Sequence, residues 1–224
     1  MILPPIDTAM LMGKAEARRL DETQLKWVYC PVGAASEQND ITVPYDFIRC
    51  FTETTNILPV LVGPEAMTVY PMVLHEQTAG WDGLTQEMSG YHLLTAMSFE
   101  EAWEQRERFV AAMLGGGRAP EYIRDNESLR LQIADLMEKN APVASTCHGV
   151  ELLAASFYNG GTGDCVLKGR KIATVTKCRR DVDPVGGIYV DDPAVVDGNL
   201  HSWKTYHQAP IGLAAWFEAV KNAI

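Results

Sequence analysis

The sequence predicts a three-layer α/β/α sandwich with a mostly parallel central sheet and an antiparallel hairpin excursion, on three observations. Short apolar, β-prone runs at 25–32, 57–62, 109–114 and 141–146 alternate with segments of helical periodicity at 41–51, 126–139 and 150–157. Glycines follow several of these runs, at Gly33, Gly63 and Gly115-Gly116-Gly117, where loops leave the carboxyl ends of parallel strands and open α/β sheets bind ligands. The run ending in Cys147-His148-Gly149 passes at once into apolar residues at helical spacing, which describes a strand turning sharply into a helix with a cysteine at the corner.

With 224 residues, 47% of them hydrophobic, the chain has apolar material for one good-sized core. Residues 1–24 read as an N-terminal extension, with helical periodicity over 8–23 that suits a packed arm or an oligomer contact, and 25–224 as the domain. The helix at 41–51 carries Pro44, expected in its first turn, where a missing N–H is no loss. Two β-prone stretches, 67–74 and 91–96, flank an irregular connection containing Trp81 and Gly90 and form the hairpin excursion. A short charged helix covers 99–108. Beyond a glycine loop at 160–163, short strands are expected at 169–175, 187–190, 194–196 and 199–203, and an amphipathic helix at 209–220 closes the chain.

Net charge is −10 and no run of Lys or Arg occurs, which argues against nucleic-acid and anionic-membrane partners, because phosphate neutralisation needs a basic face. The start lacks the basic residues of a signal peptide, and Pro4-Pro5 interrupts its apolar stretch, so a cytoplasmic protein is expected. The five cysteines, at 30, 50, 147, 165 and 178, form no Cys-x-x-Cys pair and no metal-ligand spacing. A reducing compartment, no metal and no cofactor are expected.

Cys147 is the nucleophile candidate. A thiol at a helix start feels the positive end of the helix dipole, and an adjacent imidazole adds to it, both favouring thiolate. The alternative is a buried cysteine that happens to end a strand. The triple glycine lacks the Gly-Lys-[Ser/Thr] of a phosphate loop and the dinucleotide fingerprint, and suits an oxyanion hole built from backbone N–H groups. In the loop after the first strand, Glu37 and Asp40 are suspects, although alone Asp40 reads as a helix cap and Glu37 as solvated. Glu121 reads alone as a helix-start acid. His75 and Glu76 stand where they could line a pocket and otherwise read as surface residues. Asp191-Asp192 lacks partnering ligands and reads as a solvated turn.

Taken in order, Gly116-Gly117-Arg118-Ala119-Pro120-Glu121-Tyr122, the run from Pro142 to Gly149, Leu167-Lys168-Gly169-Arg170-Lys171 and the tail from Gly186 to Leu200 resemble the ThiJ/PfpI superfamily. This class I glutamine amidotransferase-like group includes the human parkinsonism-associated protein, and the chain resembles its PfpI branch most. The resemblance implies a flavodoxin-like version of the sandwich. It implies Cys147 as nucleophile, His148 as its base, and Glu121 as the residue orienting His148, often from a neighbouring subunit of a dimer or hexamer. It implies oxyanion donors in the N–H groups of the glycine turn, Gly116 first and then Gly117, and of His148. An acid four residues before the first helix's proline, bonded to the cysteine in the family, falls at Asp40, where many relatives carry the longer Glu. Leu114 stands where a proline is common, and Glu151, where an apolar residue is common, is expected to raise the thiol pKa. The activity implied is a cofactor-free, glyoxalase III-type conversion of 2-oxoaldehydes, small-molecule substrates, to 2-hydroxy acids. The alternatives are an isocyanide hydratase, a PfpI-type cysteine peptidase, and a non-enzymatic redox sensor or chaperone in which Cys147 is oxidised to sulfinate.

Overall fold

The computed structural model describes residues 24–77 and 85–223. The helical arm expected at 8–23, and Trp81, lie outside the described residues. Seven strands form the central sheet: β1 (Lys26–Pro31), β2 (Ile57–Gly63), β5 (Met97–Ser98), β6 (Phe109–Leu114), β7 (Val143–Thr146), β10 (Ala194–Asp197) and β11 (Leu200–Trp203). Their order is β10-β11-β7-β6-β1-β2-β5, parallel throughout except that β10 runs antiparallel to β11. This is the doubly wound, mostly parallel α/β arrangement that the alternating runs predict.

The two faces of the sheet bury alternate residues along β1, while a one-residue register shift in β6 between Phe109 and Ala111 moves those two to opposite faces. On one face Trp27 and Tyr29 of β1 pack with Phe109 and Leu114 of β6. Against them lie α2 (Phe99–Glu104), α4 (Glu127–Glu138) and α5 (Val150–Ala154) through Phe99, Leu129, Ile133 and Leu152. On the other face Val28, Cys30, Ala111 and Met113 meet Ile41 and Ile48 of α1 (Gln38–Thr55). They also meet Leu213, Trp216 and Phe217 of α7 (Ala209–Asn222). Trp216 is fully buried, and its Nε1–H donates to the Pro142 carbonyl at 3.3 Å, tying the last helix to the approach of β7.

Several boundaries differ from expectation for local reasons. Helix α1 begins at Gln38 because the Glu37 side chain accepts the Asn39 N–H at 3.3 Å and caps it. Pro44 is therefore inside the helix, not in its first turn, and its missing N–H deprives the Asp40 carbonyl of its helical partner. In the excursion, β3 (Val69–Gln77) pairs antiparallel with β4 (Thr85–Leu94), so the stretch before Tyr91 is strand where irregular chain was expected. Helix α2 is capped by a reciprocal Ser98–Glu101 box and gives way to a 3-10 turn at Arg106–Arg108. Helix α5 stops at Ala154 instead of running to 157. The strands expected at 169–175 and 187–190 shrink to β8 (Lys171–Ile172) and β9 (Ile188–Tyr189), which pair parallel as a separate ribbon. Among the described residues no helix is long and apolar enough to cross a membrane.

The chain reverses direction across the sheet between β1 and β6, and the loops that follow them are stitched together. Glu37 N–H donates to the Gly116 carbonyl at 2.9 Å and Arg118 N–H to the Ala35 carbonyl at 2.8 Å. Strand β3 docks on the same seam through Val73 N–H to the Ser36 carbonyl at 2.9 Å. From β7 the chain turns directly beneath β6: a Cβ on Gly149 would lie 2.2 Å from the Leu114 carbonyl oxygen. Gly149→Ala therefore has only backbone to push against. It is expected to destabilise the protein by about 1–3 kcal/mol, read as a lower urea midpoint at unchanged m.

Candidate active site

Cys147 ends β7 with φ at 53°, a left-handed conformation that costs a non-glycine residue energy and is held by its surroundings. Its N–H donates to the Lys204 carbonyl at 3.0 Å, and its own carbonyl accepts the Thr174 hydroxyl at 2.6 Å. These two anchors, from the loops after β11 and β8, fix the strained corner and aim the side chain into a cavity of about 310 Å³. Asp40, His75, Arg118 and His148 share that cavity, which opens at the switch between β1 and β6.

Gly116 lies against the reacting groups. A Cβ there would stand 2.5 Å from Cys147 Cβ, 2.9 Å from Cys147 Sγ and 2.7 Å from Asp40 Oδ2. Thiol and carboxylate thus converge on one spot that only a glycine leaves clear. Asp40 is buried, with Oδ1 accepting from Thr146 Oγ1 at 3.4 Å and Oδ2 without a hydrogen-bond partner among the described residues. Burial, reinforced by the nearby Glu37 carboxylate, raises the Asp40 pKa to about 7; the N–H groups of Tyr206 and Gly116 and the Thr146 hydroxyl offset part of the rise. Asp40 is a buried acid of the site, not the cap of α1.

The same burial pushes the Cys147 thiol well above its ordinary value, and the Asp40 carboxylate and the neighbouring Cys178 push it further. The N–H groups of Gly117 and His148 act in the opposite sense. The expectation of a dipole-favoured thiolate is therefore reversed. The corner opens on a single 3-10 turn, Cys147–Gly149, followed by the five-residue α5, too few aligned peptides to outweigh desolvation. Among the N–H groups expected as oxyanion donors, those of Gly117 and His148 lower the Cys147 thiol and that of Gly116 lowers the Asp40 carboxyl.

His148 is oriented within the chain by Glu151, whose Oε1 accepts from Nδ1 at 2.6 Å. Glu151 Oε2 meets Arg124 Nη1 at 3.4 Å, and Arg124 also reaches Asp181 at 3.5 Å. Glu151 does not figure among the groups that raise the Cys147 pKa; it acts on Cys178 instead. Glu121, at the start of the short α3 (Ala119–Ile123), is exposed, and no hydrogen bond joins it to His148 among the described residues. Orientation by Glu121 from a neighbouring subunit is left to the proposal below; in the single chain Glu151 is the carboxylate bonded to His148. The signal for it was the i, i+3 spacing of His148 and Glu151 at a helix start.

The hairpin delivers a second group that the sequence left on the surface. His75 Nδ1 lies 2.5 Å from Glu37 Oε2, its Nε2 lies 3.2 Å from Glu87 Oε2, and Arg118 Nη2 meets Glu87 Oε1 at 2.7 Å. Glu37, expected to be solvated, is buried, and its hydrogen bond holds His75 above its ordinary pKa despite partial burial. Glu76 lies in β3, and Asp191 is exposed and paired with Lys204. His148, Glu151 and Cys178 offer ligand atoms within 4.8 Å of one another, a grouping that spacing along the chain does not show.

A cysteine on a strained strand-to-helix corner, a buried acid beside it and a glycine turn above it define a doubly wound α/β protein of the nucleophile-elbow class. A sequence model of the DJ-1/PfpI family matches residues 26–211, and the chain belongs to that family. Among its relatives are Deglycase TK1284 of Thermococcus kodakarensis, 36% identical over 127 residues (57% of this chain, 68% of the relative), and Deglycase PfpI of Pyrococcus furiosus, 33% identical over 134 residues (60% and 72%). Among solved structures, the fold is shared with DJ-1 of Schizosaccharomyces pombe, at TM-score 0.62 and 15% identity over 89% of this chain and 96% of that one. It is shared also with a ThiJ/PfpI domain protein of Brachyspira murdochii, at 0.64 and 13% over 88% and 96%.

Asp40 titrates near 7 in the folded chain against an ordinary value of 3.8, so between these values the folded state binds more protons than the unfolded one. Its contribution to stability therefore falls as pH rises through that window. Asp40→Asn is expected to remove this fall and to be more stable than the wild type at about pH 8, by on the order of 2–4 kcal/mol. Urea unfolding of both proteins at about pH 4.5 and 8 checks it; parallel profiles would contradict a buried carboxyl.

Proposed function

We propose that this protein is an enzyme that uses Cys147 as nucleophile on a small carbonyl compound, converting a 2-oxoaldehyde to a 2-hydroxy acid without glutathione. The observation that carries this reading is the unpaired Asp40 Oδ2 facing the same spot as Cys147 Sγ, on a carboxyl with a pKa of about 7. A proton affinity near neutrality is what an acid–base catalyst at physiological pH needs. The thiol, neutral at rest, passes its proton to Asp40 as sulfur bonds to the aldehyde carbon. The N–H groups of Gly117 and His148 stabilise the oxygen that becomes negative, and Asp40 returns the proton to it, giving a hemithioacetal.

His148, held through Nδ1 by Glu151, has Nε2 as its second acid–base atom. It removes the proton from the former aldehyde carbon while the adjacent carbonyl oxygen takes one up, which gives an enediol. His148 returns its proton to the second carbon while the hydroxyl on the sulfur-bearing carbon gives one up to solvent, replacing the one the carbonyl oxygen took, which yields the thioester of the 2-hydroxy acid; water then cleaves the C–S bond and restores the thiol. The aldehyde carbon is oxidised and its neighbour reduced, so no outside oxidant is required. The names of the relatives favour a second reading, deglycation, in which the same attack falls on adducts of such aldehydes with amines or thiols. A cavity of about 310 Å³ suits small molecules better than a peptide chain. Free cysteines throughout the described residues suit the cytoplasm. Glu121, exposed beside the exposed Tyr122, is the group offered to a second copy in a homo-oligomer.

Methylglyoxal turnover without added glutathione tests the reading. The wild type is expected to form lactate, Cys147→Ser to fall to background, and Asp40→Asn to lose about 100-fold or more in kcat. No turnover by the wild type would overturn the glyoxalase reading, and a rate that follows preformed adducts rather than free aldehyde would favour deglycation. Glu151→Gln is expected to lower kcat about 10-fold with little change in KM, by releasing the base from its orientation. A larger loss in Glu121→Gln would assign orientation to a neighbouring subunit.

A further inference from the structure

We infer that His148, Glu151 and Cys178 form a binding site for a borderline divalent cation of the zinc type. One ligand atom from each lies within 4.8 Å of the others. In a tetrahedral zinc site, bonds of about 2.0–2.3 Å place ligand atoms roughly 3.2–3.8 Å apart, so small side-chain adjustments close this cluster on an ion. A thiolate, an imidazole and a carboxylate are the donor set that selects zinc over hard cations such as magnesium.

The fold has the features of a supported site. His148 and Glu151 come from the corner and first turn of α5, while Cys178 ends the 3-10 turn Thr176–Cys178 that precedes α6 (Arg179–Val182). Cys178 and Glu151 are buried, and His148, half-buried, lines the cavity and is the side from which a cation would enter. Glu151 has its two oxygens divided: Oε1 faces His148, and Oε2 is held by Arg124, which is braced in turn by Asp181. That is the outer-shell support metal ligands require. The Cys178 thiol proton leaves to solvent, and the proton between His148 Nδ1 and Glu151 moves to Nε2 as the cation takes its place, so the imidazole stays neutral and no redox change is involved. If His148 acts as the base proposed above, the bound cation withdraws it and switches turnover off; this consequence alone rests on that reading.

The test uses the full chain, reduced and free of added metal, titrated with Co2+ as an optical probe. One equivalent is expected to give a sulfur-to-cobalt charge-transfer band that Zn2+ abolishes by displacement and excess Mg2+ leaves unchanged. The band is expected to be lost in Cys178→Ser, retained in Cys147→Ser, and to need at least about 10-fold more Co2+ in Glu151→Gln, which conserves volume if the cysteine variant fails to fold. No band in the wild type, its loss in Cys147→Ser, or an unchanged titration in Glu151→Gln would overturn the site. Because the band is read without substrate, its presence in a chain with no turnover counts against the proposed reaction and not against the metal site.

Discussion

The structure depends on one constraint: a buried carboxyl and a half-buried thiol share a corner too small for a side chain on the residue between them. Desolvation disfavours either anion, so each group favours its neutral form, and ionising one makes ionising the other harder. Such a pair costs stability and persists because the surrounding chain leaves it no alternative position. The carboxyl, near 7, can give or take a proton at neutral pH, while the thiol keeps its own until sulfur bonds to substrate, as the proposed chemistry has it.

The backbone is arranged to hold this pair. Cys147 sits in a conformation that few residues other than glycine adopt, and four strands contribute to keeping it there: β7 carries it, β6 supplies the glycine turn, and the loops after β8 and β11 anchor its carbonyl and N–H. Gly116 and Gly149 serve by absence, because each would place a Cβ inside the contact distance of a neighbour that has no room to move. The kinship of the fold with a doubly wound sheet explains the location, since the reversal between β1 and β6 opens the crevice in which Asp40 and the glycine turn meet.

Around the pair, charge is graded from buried to exposed. Glu37 is buried and orders His75 and the start of α1 together, so the hairpin is bound to the site through a desolvated contact. Glu87 and Arg118, at the solvent edge, add a contact of the kind that contributes little on its own. On the opposite side, His148 is held by Glu151, and Arg124 links that pair to Asp181. The imidazole beside Cys147 is therefore tied to a different set of carboxylates from the thiol itself, which separates the tuning of the two groups.

The order of strands and helices and the cysteine corner were legible in the sequence, because they follow from hydrophobic periodicity and from glycines and prolines at element ends; the acid at Asp40 was legible only through the family resemblance. The limits of β6 were legible to the residue, since a run of apolar residues between a charged helix and three glycines admits one reading. The tertiary structure alone decided which acids matter and in which protonation state. Glu37 looks solvated in a polar loop until β3 covers it; His75 looks exposed until the hairpin folds over the switch point; Cys178, thirty positions from His148, becomes its neighbour only when α6 packs on α5. The thiol's protonation reversed expectation for the same reason. Dipoles and adjacent charges can be read along a chain, but desolvation depends on everything that packs around an atom, and at Cys147 it is the larger effect.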